Sequence, residues 1–112
     1  MIDSKQLFNA ARHLHSTIVY NEDWVHFGTG DQIKLDMIER LIDDHLTSNE
    51  ILFIQERTNS AQFKKHEIVG RIKPILGKEN FQLWMLSMDK MIQFNAIGVL
   101  RLGCKKTLPA GL

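Results

Sequence analysis

Two short apolar segments, residues 51–56 and 81–86, constrain the fold most, because a stretch with helical periodicity lies between them. Each segment has the length of a strand and is flanked by polar turns, a pattern typical of strands covered on both faces. The helix between them is predicted over residues 60–73, with Asn59 as its N-cap. The order strand, helix, strand therefore predicts a βαβ unit over residues 51–86, with parallel strands and a right-handed crossover.

The remaining segments predict further elements that pack on the same sheet. Residues 4–15 and 32–46 carry apolar side chains at helical spacing, and a polar side chain that can cap a helix precedes each of them. Residues 17–27 indicate either a hairpin or an extension of the first helix. A short helical turn is predicted across residues 90–94, and a last strand, parallel or antiparallel, over residues 97–102.

The expected fold is α/β, or α+β: a single small domain with a three- to five-stranded, mostly parallel or mixed sheet and helices packed on it. A chain of 112 residues can bury one core but not two, so we predict that residues 1–104 form this domain. Residues 105–112 are predicted to form a flexible C-terminal tail.

Cysteine content and hydropathy indicate the compartment. The chain has one cysteine, so no intramolecular disulfide can form, which favours a reducing compartment. The first residues lack the basic stretch and apolar run of a signal peptide, and no apolar run approaches the length that spans a bilayer. We therefore expect a cytoplasmic protein without membrane contact.

Charge is distributed unevenly along the chain. Residues 1–56 contain four Lys/Arg and ten Asp/Glu, a net charge of −6, whereas residues 57–112 contain ten Lys/Arg and three Asp/Glu, a net charge of +7. Such an asymmetry can mark a binding surface, but it also fits two halves that pack together. We favour a non-catalytic protein-interaction or regulatory module, whose partner is another protein or a second copy of the chain in a homodimer.

A ligand site is expected at the carboxyl ends of the predicted parallel strands, where open α/β sheets bind ligands. The segments that follow two of these strands place there Arg57, Thr58, Asn59, Ser60 and Asp89. The first amides of the following helix would attract an anion, and Arg57 would add positive charge. The alternative function is therefore a small protein or enzyme that binds an anion or phosphate, whereas the simpler interpretation makes Asn59 and Asp89 helix caps.

A basic surface is predicted on and near the helix over residues 60–73, formed by Lys64, Lys65, Arg71 and Lys73. Phosphate groups of a nucleic acid could bind such a surface. Nucleic-acid binding is the weaker alternative, because aromatic side chains are not interleaved with these charges and no DNA-reading motif is present.

Motifs that hold a metal or a cofactor are not found in the sequence. No two histidines stand four residues apart, and no Cys-x-x-Cys occurs. The segment Gly28-Thr29-Gly30 precedes a helix but lacks the Gly-Lys-Ser/Thr of a phosphate-binding loop. We therefore expect no metal and no cofactor.

The two tryptophans, Trp24 and Trp84, lie in segments that resemble strands. Large aromatic side chains of this kind usually belong to the core. A tryptophan left exposed would be a candidate anchor for a partner.

Overall fold

The computed structural model describes residues 3–20, 23–56 and 59–105, which form a seven-stranded antiparallel sheet and three helices. The helices are α1 (Ser4–His15), α2 (Leu35–His45) and α3 (Lys65–Ile72). The strands are β1 (Ile18–Tyr20), β2 (Val25–His26), β3 (Glu50–Glu56), β4 (Asn59–Lys64), β5 (Phe81–Met85), β6 (Lys90–Asn95) and β7 (Val99–Lys105). The strand order is β1-β7-β6-β5-β3-β4, and β2 also pairs with β7.

The predicted three- to five-stranded, parallel or mixed sheet with a βαβ unit over residues 51–86 is wrong, because the described residues form seven strands and every paired set of strands is antiparallel. Residues 59–64, the first part of the predicted helix 60–73, form β4, which folds back on β3 and pairs Lys64 with Glu50. The chain thus returns to the end of the sheet where β3 began. After α3 it enters β5 from the opposite end, so β5 also runs antiparallel to β3.

Several other predicted elements can be compared with the structure. The helix over residues 4–15 is confirmed as α1, and residues 35–45 of the predicted helix 32–46 form α2. The helical turn across residues 90–94 is wrong, because these residues belong to β6. For residues 17–27 both alternatives are wrong. β1 and β2 pair with β7 and not with each other, so they form no hairpin, and α1 ends at His15 and does not extend into this segment.

The last predicted strand, over residues 97–102, corresponds to β7, which begins and ends slightly later and is antiparallel to β6. Lys105, placed in the predicted C-terminal tail, is the last residue of β7. The rest of that predicted tail, residues 106–112, lies outside the described residues.

One face of the sheet, here called the α2/α3 face, packs against α2 and α3 and holds the larger cluster of buried side chains. Aromatic rings lie at its centre, where Phe81 and Phe94 stack with their centroids 4.5 Å apart. His45, at the end of α2, places its Nε2 atom 2.9 Å from the carbonyl oxygen of Gly103 and 3.1 Å from that of Met91. Because carbonyl oxygens only accept hydrogen bonds, Nε2 carries a proton and links α2 to β6 and β7.

The opposite face, here called the α1 face, is crossed by α1. Asp3 and Gln6 form a capping box at the start of this helix. Leu7 and Ala11 then pack in a cluster that includes Trp84 and Met91, both fully buried. Within the described residues, no helix has the length and hydropathy needed to cross a membrane.

A substitution at Gly98, in the turn between β6 and β7, tests how closely this turn packs against the loop that contains Gly28. Its φ is +93°, and an added Cβ would lie 2.8 Å from the carbonyl oxygen of Gly28. We expect Gly98→Ala to lower the free energy of unfolding by about 1–3 kcal/mol, measured by urea denaturation.

Gly70→Ala provides the matched control. Gly70 lies in α3, and an added Cβ there meets no atom within 4 Å. Alanine should therefore raise the free energy of unfolding by roughly 0.5–1 kcal/mol, the usual helix preference over glycine. Equal effects of the two substitutions would contradict the close approach of Gly98 to Gly28.

Candidate functional site

The most exposed large aromatic side chain on the α1 face belongs to Trp24, which is 41% exposed. Its ring centroid lies 4.6 Å from the guanidinium carbon of Arg101. The opposite side of the guanidinium faces Tyr20, whose ring centroid is 3.9 Å from the same carbon. We call these three residues the arginine stack.

Strand pairing brings the arginine stack together. β1 pairs with the end of β7, and β2 pairs with its beginning, so Tyr20 at the end of β1 and Trp24 just before β2 both reach Arg101. Val25 is directly opposite Leu100, and neighbouring residues on a strand point to opposite faces. Trp24 and Arg101 therefore share the α1 face, although 77 positions separate them in the sequence.

Arg101 is also held from β6. Its Nε atom donates a hydrogen bond of 2.8 Å to Oε1 of Gln93. Among the described residues, basic and acidic side chains meet in two pairs, Lys65 with Asp43 and His66 with Glu67, so Arg101 has no acidic partner within this part of the chain. The guanidinium is held in position, and its terminal nitrogens donate to no side chain or carbonyl in the described part of the chain.

A cleft of about 330 Å³ lies on the same face, between α1 and the strands. We call it the amide cleft, because four of the residues that line it on or next to β5 and β6 are Asn80, Gln82, Gln93 and Asn95. Its wall on the helix side is formed by Phe8, Ala11 and Arg12. Gln93 belongs both to the cleft and to the support of Arg101, so the cleft and the arginine stack are adjacent.

The site predicted at the strand ends is not assembled as the sequence suggested. Asn59 and Ser60 lie in β4 beside the end of β3, whereas Asp89 follows β5 at the opposite end of the antiparallel sheet. Neither Asn59 nor Asp89 caps a helix, since α3 begins at Lys65 and β6 follows Asp89. Arg57 and Thr58 lie outside the described residues.

The described members of that predicted site make hydrogen bonds within the protein. The buried Ser60 donates through Oγ to the carbonyl oxygen of Glu56 at 2.8 Å, and its amide donates to Oγ of Ser4 at 2.8 Å. Asp89 accepts a hydrogen bond of 2.6 Å from Oγ of Ser87. Ser60 therefore joins α1 to β4; a ligand-binding role for these residues stays a prediction.

The residues of the predicted basic surface have different surroundings. Lys65 forms an ion pair of 3.5 Å with Asp43 on α2, which joins the acidic and basic halves of the chain. Arg71 lies over the ring of Phe63, 5.0 Å from its centroid. Lys64 and Lys73 are exposed at the two ends of α3.

Sequence reasoning did not find Arg101, Gln82 or Gln93. Trp24 was noted as a candidate anchor, yet the sequence could not distinguish it from Trp84, which is fully buried. One signal was present in the sequence: along a strand, a polar residue stands two positions from an apolar one and therefore shares its face, as Gln82 does with Trp84 on β5. Polar residues at such positions indicate a part of a sheet face that no helix covers.

Nothing outside the chain assigns a role to this site. Searches against protein-family models, curated proteins and solved structures found no match. Within the ranges that the structure describes, no three His, Cys, Asp or Glu side chains are grouped so that they could hold a metal ion.

The ionisation of Tyr20 tests the geometry of the arginine stack. Burial raises the pKa of its phenol above the ordinary value of 10.0, and the nearby guanidinium of Arg101 acts in the opposite direction. Tyr20 is the only tyrosine, so phenolate absorbance during alkaline titration reports on it alone. We expect a midpoint above 10.0 in the folded protein.

Two comparisons check that expectation. Arg101→Gln removes the cation that lowers the pKa, so its midpoint should lie higher still. Because the folded pKa of Tyr20 is raised, its contribution to stability is present below the pKa of unfolded tyrosine and is lost as pH rises through the folded pKa. A folded midpoint at or below that of the denatured chain would contradict the described packing of Tyr20.

Proposed function

We propose that this protein is a non-catalytic interaction module that binds an acidic segment of a partner protein through the arginine stack. The observation that carries the proposal is the exposed ring of Trp24, which stacks on Arg101 and, through it, on Tyr20. Tryptophan, tyrosine and arginine are the residues most enriched among those that dominate the binding energy of protein interfaces. The single cysteine favours the cytoplasm as the place of action.

Preorganisation supports the proposal. The guanidinium of Arg101 is held between two rings and by Gln93, so binding would not have to immobilise a long, freely rotating side chain. Ordering such a side chain at an interface costs about 0.5–1.5 kcal/mol. A rigid anchor of this kind is typical of surfaces that bind a partner without changing shape.

Charge indicates the chemistry of the partner. Arg101 has no acidic partner among the described residues, and Arg12 adds a second cation on the same face. A guanidinium with free terminal nitrogens binds a carboxylate through two parallel hydrogen bonds. The partner segment should therefore present aspartate or glutamate next to an apolar side chain that covers Trp24.

A separate protein fits better than a second copy of the chain. In a two-fold symmetric dimer the same surface patch meets itself, so the patch that carries Arg101 and Arg12 would face a patch with the same two cations. The exposed acidic residues of α2 lie on the α2/α3 side of the sheet: Asp36, Glu39, Asp43 and Asp44. A contact between them and the arginine stack would be head-to-tail and would not close into a symmetric dimer.

The proposal predicts which substitutions weaken binding. A photoreactive amino acid in place of Asp23, the exposed neighbour of Trp24, would first identify the partner by crosslinking, and the affinity of the purified partner would then be measured by calorimetry. Trp24→Ala and Arg101→Ala should each weaken binding by roughly 30-fold, the effect of losing about 2 kcal/mol. Binding should also weaken as salt concentration rises.

Leu86→Ala is the matched control. Leu86 is 44% exposed, close to the value for Trp24, but it follows β5 at the opposite end of that strand from Asn80 and has no arginine stacked on it. Its loss should leave the affinity unchanged. Unchanged affinity in Trp24→Ala and Arg101→Ala, or crosslinking only to a second copy of the chain, would exclude the proposal.

A further inference from the structure

Five side-chain amides line the amide cleft, and one of them, Gln55, donates its NH₂ group to Oε1 of Glu79 at 2.9 Å. The other four share one property: each uses its oxygen in a hydrogen bond within the protein. Oε1 of Gln82 accepts from Nε1 of Trp84 at 2.9 Å. Oε1 of Gln93 accepts from Nε of Arg101 at 2.8 Å. Because the tryptophan and arginine nitrogens only donate, the glutamine atom that faces each of them is the oxygen.

The two asparagines follow the same rule at the end of the cleft. Oδ1 of Asn80 accepts from the backbone amide of Ala96 at 2.7 Å. Oδ1 of Asn95 accepts from the backbone amide of Ile97 at 3.0 Å. Backbone amides also only donate, so the orientation of these side chains is fixed as well.

The four NH₂ groups that remain are hydrogen-bond donors, and none donates to another described residue. Arg12 adds charged donors to the cleft wall. The described residues that line the cleft include no aspartate or glutamate. A site with many donors and no carboxylate suits a ligand rich in acceptors and negatively charged.

From this geometry we propose that the amide cleft binds a small organic carboxylate, at a site distinct from the partner contact of the arginine stack. The volume of about 330 Å³ exceeds that of a single inorganic ion and falls at the lower end of the range for small-molecule sites. Phe8, Ala11 and Ile54 give the cleft an apolar wall for the carbon skeleton of the ligand.

Citrate and glutarate are the probes for a first test, with inorganic phosphate as the competing anion. Titration into ¹⁵N-labelled protein should shift the side-chain NH₂ resonances of Asn80, Gln82, Gln93 and Asn95. Both carboxylates should bind more tightly than phosphate, because only they have a carbon skeleton that can pack on the apolar wall of Phe8, Ala11 and Ile54. Absent shifts, or phosphate binding as tight as that of the carboxylates, would overturn the proposal.

Gln93→Glu separates binding from folding. Glutamate keeps the oxygen that accepts from Arg101 and replaces the free NH₂ group by a negatively charged oxygen. The protein should stay folded, and citrate should bind at least about tenfold more weakly, a loss of about 1.4 kcal/mol.

Gln62→Glu is the matched control on β4. Gln62 pairs with Leu52 on the α1 face but does not line the amide cleft, so the same change of charge should leave citrate binding within about twofold. An equal loss of citrate affinity in both variants would mean that the effect comes from net charge alone, and would contradict binding at the amide cleft. Trp24→Ala should keep citrate binding, so failure of the partner proposal and failure of this one are distinguishable.

Discussion

The burial of both faces of β3 is the constraint on which the rest of the structure depends. Four consecutive side chains are buried: Ile51 and Phe53 belong to the cluster on the α2/α3 face, and Leu52 and Ile54 to the cluster under α1. Burying a large apolar side chain contributes about 1.5–3 kcal/mol, so leaving either face open to water would cost much of the stability of a small domain. The fold therefore needs helices on both sides of the sheet.

The two faces of the sheet are covered by different numbers of helices, and this leaves the candidate sites exposed to solvent. α2 and α3 pack on one face, whereas the other has α1, whose 12 residues span about 18 Å. Six strands side by side make a sheet roughly 24 Å wide, and a helix covers a band of about 10 Å. One helix cannot cover that face, so polar and charged side chains such as Gln82, Gln93 and Arg101 occupy the part of the face that α1 leaves uncovered.

The double burial of β3 also explains which part of the fold the sequence could reveal. A continuous apolar run identified residues 51–56 as a strand, and α1 was readable from its cap and its spacing. The same run is typical of parallel sheets, but helices on both faces of an antiparallel sheet produce it equally well. Phe63 falls within the predicted helix 60–73, yet it stands five positions before Ile68, a spacing that does not place two side chains on one face of a helix. Residues 59–64 instead alternate between the two faces, as β4 requires.

The candidate sites were harder to predict because they depend on pairing between distant segments. Gln82 and Gln93 become neighbours only through the register of β5 with β6, and Trp24 reaches Arg101 only because β2 pairs with β7 instead of β1. A period-two pattern tells which residues share a face of one strand, but it does not tell which strand lies beside it. The orientation of each side-chain amide is harder still to predict from the sequence, because it is set by a neighbouring donor such as the indole of Trp84 or the guanidinium of Arg101. The polar chemistry of this protein is therefore a property of the sheet register, and any change that shifts β5, β6 or β7 by one residue would disperse both sites while keeping the same composition.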